Sequence, residues 1–228
     1  MELNLERVEA KVVEELHHVA ELVHELPFNQ RFRAITLASG AHALLYFSAN
    51  HFPLHEARLL PMSGLDEATP FVPWTVVPYL SAYALAFVGY LSLRKAESGT
   101  RFLQVFFTCV VLAGLAHWAM PTRYPRELFP IPPDTDAVSS FLLTGLRAFD
   151  TPNSCLPSLH VCISVVSALL VWRERPRLSG ALFAWAALIG VSTLTTKQHY
   201  LVDVASGALL AVAATVAVDL LRARLRPR

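Results

Sequence analysis

The last apolar stretch of the chain, LVDVASGALLAVAATVAVDLL at residues 201–221, decides the fold class. A helix of about 20 mainly apolar residues is long enough to cross the hydrocarbon core of a bilayer. This stretch has that length, and its only ionisable side chains are Asp203 and Asp219. It therefore predicts a membrane-spanning helix that carries an acidic residue in its first turn.

Five further stretches qualify, or nearly qualify, as spans: 34–52, 71–93, 102–120, 156–172 and 178–195. The first is interrupted by His42, Asn50 and His51, and the fourth is short and starts with polar residues. The predicted fold is therefore all-α, a polytopic membrane protein whose residues 31–228 form a bundle of six transmembrane helices.

The composition of the whole chain agrees with a membrane protein. Of its 228 residues 54% are apolar and 16% are charged, and the mean hydropathy is +0.43. Soluble domains usually carry about 25% charged residues, and a disordered chain would have far fewer apolar ones. The formal net charge of +1, with no clustered basic face, gives no reason to expect a nucleic acid partner. The three cysteines do not make a disulfide framework.

The distribution of Lys and Arg predicts the orientation in the membrane. With the N-terminus inside, the inner segments hold 14 of the 19 basic residues. The outer segments hold the other five, which are Arg58, Arg123, Arg126, Arg147 and Lys197. Because cytoplasmic loops carry the excess of basic residues, we expect an integral membrane protein with both termini in the cytoplasm.

The N-terminal segment, residues 1–30, has a different pattern. Apolar residues spaced by three or four from Leu5 to Leu26 form one stripe on a helix, and the remaining surface is mainly acidic. Anionic lipid attracts basic helices, so we expect this amphipathic helix to pack on its own chain or on a partner helix. A homo-oligomer joined through it is one such arrangement. Its histidines are explained as part of a solvated face, and the sequence predicts no metal site and no cofactor.

Two outer connections carry more polar residues than simple loops would need. The first reads PTRYPR at 121–126 and NSCLPSLH at 153–160, and the second reads TTKQHYLVD at 195–203. The predicted topology brings these residues to the outer ends of three helices: Arg123, Arg126, Ser158, His160, Lys197, His199 and Asp203.

The spacing of these residues points to phosphate chemistry. His199 and Asp203 are four residues apart, which places them on one face of a helix. A carboxylate there fixes the tautomer of an imidazole and stabilises its positive form. Ser158 and His160 lie at a helix N-terminus, where free N–H groups favour an anion, and arginine matches the geometry of phosphate oxygens. Taken one at a time, some polar residues of these connections have ordinary structural explanations. Ser154, for example, would cap a helix that has Pro157 in its first turn.

These residues resemble the motifs of the type 2 phosphatidic acid phosphatase superfamily, K-x6-R-P, P-S-G-H and S-R-x5-H-x3-D. PSLH at 157–160 is similar to the second motif, and His199 with Asp203 to the third. PSLH, TKQHY and PFVPW at 70–74 also resemble the branch of inositol phosphorylceramide and sphingomyelin synthases. PTRYPR favours Arg126 as the arginine of the first motif, although no lysine stands seven residues earlier. Thr193 stands where the third motif has arginine. The resemblance covers residue 66 to the C-terminus.

The resemblance implies a membrane lipid phosphatase that forms a phosphohistidine at the outer, periplasmic or lumenal, face. His199 would attack phosphorus, Asp203 would hold its ring, and His160 would protonate the leaving oxygen and then activate the acceptor. The phosphate oxygens of a lipid phosphate or diphosphate would be bound by Arg126, Ser158, Lys197 and Arg123. With a lipid alcohol instead of water as acceptor, the enzyme would be a phospho-headgroup transferase of the inositol phosphorylceramide or sphingomyelin synthase type.

Two functions from other classes stay open at this point. An intramembrane serine protease would use Ser158 as its nucleophile, although Pro157 and Leu159 do not give the glycine-rich setting that such a serine commonly has. A transporter or an inactive scaffold would also keep polar residues in its spans. Loss of turnover on replacing His199 or Asp203 would exclude a transporter or scaffold.

Overall fold

The structure is a computed structural model that describes residues 25–225, and this part of the chain is mostly helical. The helices are α1 (Phe28–His51), α2 (Gly64–Ala68), α3 (Val76–Leu80), α4 (Ala82–Ser92), α5 (Ala96–Ala119), α6 (Ala137–Phe149), α7 (Leu159–Val171), α8 (Pro176–Thr195) and α9 (Leu201–Leu225). Single 3₁₀ turns lie at Pro73–Thr75 and Arg126–Leu128, and two short parallel strands, β1 (Arg58–Leu59) and β2 (Thr122–Arg123), pair with each other. Residues 1–24, which make up most of the predicted N-terminal amphipathic helix, lie outside the described part of the chain.

Within residues 25–225, four segments are long and apolar enough to cross a membrane, which makes this an integral membrane protein: Pro73–Ser92, Ala96–Ala119, Pro176–Thr195 and Leu201–Leu225. The predicted first span falls in α1, which is long but does not reach this apolar content. The predicted fourth falls in α7, whose 13 residues are about 20 Å long at about 1.5 Å per residue. The count of six spans therefore stays a prediction.

Two of the predicted spans differ from the structure in shape or extent. Residues 71–93 were expected to be one helix, but a 3₁₀ turn, α3 and α4 follow each other there. Pro78 removes one N–H from the helical ladder, and the chain turns at Ser81 before α4 begins. The third span begins at Ala96 instead of residue 102, so Arg101 lies inside α5. Its guanidinium is paired with Asp219 of α9 at 2.6 Å.

Helix α7 lies at the centre of the bundle. It packs against α4, α5, α8 and α9, and ten of its 13 residues are buried. Close packing depends on small residues, since a Cβ added at Gly89 of α4 would lie 2.9 Å from the Ser167 Cβ of α7. The bundle thus surrounds the helix that begins one residue before His160.

Two of the three polar residues that interrupt the first predicted span lie inside the protein, and the third, His51, is exposed. His42 and Asn50 are buried on α1. The Asn50 side chain donates to the Thr151 carbonyl at 2.6 Å, and its amide oxygen accepts the Thr151 N–H at 3.0 Å. These bonds fasten the end of α1 to the connection that precedes α7.

The long connection from 121 to 156 contains a helix, α6, that the sequence analysis did not identify. Asp136 caps it by accepting the Ser139 N–H at 2.9 Å. Ser139 and Leu143 are buried, whereas Val138, Phe141 and Phe149 are exposed. The helix is amphipathic, and it contacts α3 and the 3₁₀ turn at Pro73–Thr75 that precedes α3.

Candidate active site

Hydrogen bonds between helix ends assemble the site at one end of the bundle. The Ser158 N–H at the start of α7 donates to the Asp203 carbonyl in the first turn of α9 at 3.0 Å. His117 near the end of α5 contacts the Pro157 carbonyl through Nε2 at 3.0 Å. The Val72 N–H donates to the Thr195 carbonyl at the end of α8 at 2.8 Å. The ends that the sequence analysis assigned to the outer face are therefore neighbours.

His199 and Asp203 form the buried pair that their spacing predicts. The His199 Nδ1 lies 3.3 Å from Asp203 Oδ2 and 3.1 Å from the Cys155 carbonyl oxygen. Both partners can only accept when the carboxyl group is ionised, so we assign the imidazole proton to Nδ1. The Tyr200 N–H also donates to Asp203 Oδ2, at 2.8 Å. The lone pair of His199 is then on Nε2, the nitrogen that faces away from the carboxylate.

His160 lies opposite this pair. Its ring centroid is 6.1 Å from that of His199, and the two rings meet edge to face. The Tyr79 ring stacks on it at 4.2 Å with an interplanar angle of 26°. The Nε2 atom of His160 is buried and has no hydrogen-bond partner within residues 25–225. This geometry leaves one nitrogen of the ring open to a ligand.

Ser158 is the cap of α7. Its side chain accepts the Val161 N–H at 3.5 Å, and the residue is fully buried. The alternative in which Ser154 caps this helix is therefore wrong, because the helix begins at Leu159 and Pro157 lies before the cap instead of in the first turn. The first N–H groups of α7 lie beside His160 and belong to the positive end of the helix dipole.

Arg126 is buried, with 8% of its surface exposed, and it is paired with Asp150. Its Nη2 lies 3.0 Å from Asp150 Oδ2, and its Nη1 donates to the Asp150 carbonyl. Tyr46 donates to the other carboxylate oxygen at 2.6 Å. Burial alone would lower the pKa of Arg126, but the Asp150 carboxylate raises it, and the guanidinium stays charged. Its Nε is buried and has no partner in the described part of the chain.

Arg123 is placed differently from Arg126. Its side chain is 38% exposed and pairs with Glu127 at 3.0 Å. Its backbone carbonyl accepts the Tyr200 hydroxyl at 3.0 Å. Of the two arginines, Arg126 has the placement expected of a ligand in the site.

Lys197 contacts the connection before α3. Its ammonium donates to the Asp66 carbonyl at 3.1 Å and to the Thr69 carbonyl at 2.5 Å, and it lies 4.7 Å from the centre of the Phe129 ring. Only 1% of the residue is exposed, its backbone φ is +57°, and burial lowers its pKa. These contacts favour a structural role for Lys197.

Asp66 makes a second set of contacts between the connection before α3 and the turn that carries His199. Its Oδ1 accepts the Leu201 N–H at 2.7 Å, and its Oδ2 accepts the N–H and hydroxyl of Ser63 at 2.8 and 2.7 Å. Burial would raise the pKa of Asp66, but the hydrogen bonds from Ser63 and Leu201 hold it below its ordinary value. Asp66 thus satisfies a free N–H at the start of α9, two residues after His199.

We expect Asp66→Ala to loosen the turn that carries His199. Loss of a buried carboxylate that accepts three hydrogen bonds should lower the free energy of unfolding by about 1–3 kcal/mol and reduce turnover. Thermal unfolding in detergent, followed by an assay of the same sample, measures both. Asp134→Ala changes an exposed aspartate and should leave both unchanged. Equal stability and turnover in the two variants would show that Asp66 does not fasten the turn.

Two cavities meet at this end of the bundle. A small polar cavity of about 10 Å³ lies between α1, the connection before α7 and the turn before α9. A more apolar cavity of about 30 Å³, here called the interhelix cavity, lies between α1, α4, α5 and α7. The polar cavity is bordered by Arg126 and His199, the interhelix cavity by His160, and Tyr46 lies in the wall of both.

One group of side chains brings three possible metal ligands together. Among the described residues, ligand atoms of Cys155, His199 and Asp203 lie within 4.8 Å of one another. Burial raises the pKa of the Cys155 thiol, which points to the Pro152 and Gln198 carbonyls at 3.3 and 3.7 Å. All three side chains already have hydrogen-bond partners inside the protein.

Several residues of the site were missed by sequence reasoning. Asp150, Tyr46 and Tyr79 have no motif around them, and their partners lie at least 24 residues away in the chain. Asp66 had a signal, because Ser63-x-x-Asp66 resembles a capping box, and the structure contains that box. Thr193 lies within α8, where its hydroxyl donates to the Gly190 carbonyl at 2.7 Å.

Comparison with known protein families found a match that covers more than half of the chain. A family model described as the PAP2 superfamily matches residues 61–217. The matched part begins before Asp66 and includes Arg126, Ser158, His160, His199 and Asp203. No curated protein matches the chain.

Proposed function

Because the chain belongs to the PAP2 superfamily, whose members are phosphatases or phosphotransferases, we propose that it is a membrane phosphatase for lipid phosphates or diphosphates. The observation that carries this proposal is the pair of His199 and Asp203 with His160 opposite, at a centroid distance of 6.1 Å. The phosphoryl group would lie between the two rings, with the attacking nitrogen about 3–3.5 Å from phosphorus and the acid about 2.6–3.2 Å from the leaving oxygen.

In the first step, His199 Nε2 attacks phosphorus. A nitrogen–phosphorus bond forms as the bond from phosphorus to the lipid oxygen breaks, and His160 gives its proton to that oxygen. Asp203 holds the Nδ1 proton and stabilises the positive charge that develops on the ring of His199.

In the second step, His160 takes a proton from water. The resulting oxygen nucleophile attacks phosphorus, the nitrogen–phosphorus bond breaks, and inorganic phosphate leaves. His199 returns to its neutral form and His160 regains its proton, so the cycle closes with water as the only further reactant.

The negative charge of the transition state is opposed by Arg126 and by the first N–H groups of α7, which Ser158 caps. Such fixed donors need no reorganisation during the reaction. Arg126 offers the Nε that has no partner among the described residues. We assign Lys197 and Arg123 to holding the neighbouring turns, because their contacts are with Asp66, Thr69 and Glu127.

A phospho-headgroup transferase is the second candidate, and the interhelix cavity favours it. The walls of this cavity are mainly apolar side chains, and they include His160, the residue that activates the acceptor. A lipid alcohol that enters between α1 and α4 would reach His160 from the membrane and replace water in the second step.

We propose that the site faces the outer side of the membrane and that α1 and α7 complete six crossings. The opposite ends of the helices carry the basic residues of the inner segments, among them Arg31, Arg94 and Arg101. The excess of basic residues marks the cytoplasmic side.

Phosphate release decides between the two candidates. We expect the purified protein in lipid nanodiscs to release inorganic phosphate from a panel of lipid phosphates and diphosphates with no added alcohol. A protein that releases no phosphate by itself, but transfers the phosphate-containing headgroup to an added diacylglycerol or ceramide, would be a transferase. Absence of turnover on all these substrates, with and without an acceptor, would contradict both proposals.

A further inference from the structure

Two arginines lie at the C-terminal end of α6. Arg147 is in the last turn of this helix. Arg126, from the 3₁₀ turn before it, contacts the backbone carbonyl and the carboxylate of Asp150, the residue that ends α6. The structure thus brings together two guanidinium groups that are 21 positions apart in the sequence.

Both guanidinium groups have buried donors without acceptors. Nε of Arg126, and Nε and Nη2 of Arg147, have no hydrogen-bond partner within residues 25–225. Arg126 is more than nine-tenths buried. A buried N–H that lacks an acceptor costs free energy, and the cost is larger for a charged group. Three such donors on neighbouring residues therefore indicate a place for a ligand with several acceptor atoms.

The charge around the two arginines points to an anion. Asp150 is the acid that neutralises Arg126, and its second oxygen accepts the Tyr46 hydroxyl. Arg147 has no acidic partner in the described part of the chain. Burial lowers the pKa of Arg147, and the nearby Arg126 charge lowers it further. One carboxylate beside two guanidinium groups leaves one positive charge uncompensated.

The surroundings of Arg147 connect it to the reacting groups. Its guanidinium carbon lies 5.5 Å from the centre of the Phe71 ring, which orients it. Helix α6 packs on α3, the helix whose Tyr79 stacks on His160. Arg147 therefore belongs to a helix that packs beside the helix carrying Tyr79, and its charge lies near that of Arg126, which borders the polar cavity beside His199.

We propose that Arg147 is a second phosphate-binding residue, which together with Arg126 holds the non-bridging oxygens of the group that His199 attacks. This inference rests on the proposed function and narrows its substrates. Guanidinium groups bind phosphate through N–H donors, and the three donors without partners match the three non-bridging oxygens of a terminal phosphate. A phosphodiester has only two such oxygens, so the site should prefer phosphomonoesters and diphosphates.

The test compares Arg147→Ala and Arg147→Lys with wild type in the full-length protein. We expect Arg147→Ala to weaken the binding of inorganic phosphate, measured by isothermal titration calorimetry, by about ten- to a hundredfold. We expect its KM for a monoester to rise by a similar factor, and Arg147→Lys to recover part of the loss. Arg58→Ala removes an exposed outer arginine and should leave phosphate binding unchanged. Wild-type phosphate affinity in a folded Arg147→Ala protein would overturn the proposal.

A second measurement needs no variant. Phenylglyoxal modifies accessible arginines, and mass spectrometry maps the modified residues. We expect inorganic phosphate to slow the modification of Arg147 in the wild-type protein, while Arg58 reacts at the same rate with and without phosphate. An unchanged rate at Arg147 would contradict its role. Both measurements use inorganic phosphate, so they test phosphate binding by Arg147 even if the proposed function is wrong. A wrong function would show separately, as absent turnover of every lipid substrate.

Discussion

His199→Gln is expected to abolish phosphate release from a lipid phosphate, with a fall in kcat of at least about a thousandfold. Glutamine keeps a donor that reaches the Cys155 carbonyl, but it has no lone pair that can attack phosphorus. Without the covalent step, the remaining groups can still bind the substrate, so binding of inorganic phosphate should change much less than kcat. Steady-state assays in nanodiscs and calorimetry on the same preparations give the two numbers.

His51→Gln is the matched control for this variant. His51 is an exposed histidine at the end of α1 and takes no part in the site, so the substitution should leave kcat unchanged. A His199→Gln protein that is folded, binds phosphate and keeps a tenth or more of the wild-type kcat would show that His199 is not the nucleophile.

Gly207→Ala is expected to have the largest effect on the structure of the site. A Cβ at this position of α9 would lie 2.4 Å from the Ser158 carbonyl oxygen. Because the obstacle is backbone, the start of α7 would have to move away from α9. We expect a loss of about 3 kcal/mol in the free energy of unfolding, at the upper end of the usual cost of overpacking. The same movement would separate Ser158 from Asp203 and reduce turnover.

Gly180→Ala provides the control, because nothing lies within 4 Å of a Cβ at that position of α8. Alanine favours a helix by about 1 kcal/mol over glycine, so this variant should be as stable as wild type or slightly more so. Thermal unfolding in the same detergent compares the two. Equal melting temperatures for Gly207→Ala and Gly180→Ala would contradict the close contact between α7 and α9.

The features that the sequence predicted correctly depend on local patterns. The four spans of sufficient length and apolar content follow from the run of apolar residues alone. The contact between His199 and Asp203 agrees with their spacing of four residues, although His199 lies two residues before α9 begins and not on a face of that helix. Neither prediction requires knowledge of a distant part of the chain.

The features that the sequence did not predict depend on distant partners. The contacts of Lys197 are one example, because the carbonyls that it contacts are 128 and 131 residues away in the chain. Helix α6 was not predicted because it lies in a proline-rich connection. The contact between Arg126 and Asp150, the residue that follows this helix, was therefore not predicted either. Ser158 caps α7 because its neighbours in space, Gly207 and Asp203, hold the backbone there.

The most direct test of the central claim is to trap the covalent intermediate. Rapid mixing of the protein with a lipid phosphate, alkaline quenching, which preserves phosphohistidine, and peptide mass spectrometry will locate the phosphoryl group. We predict one phosphate on the peptide that contains His199, attached to Nε2, and none in His199→Gln. Phosphate on another residue would contradict the mechanism. So would an active protein in which no phosphohistidine is found at any time point during turnover.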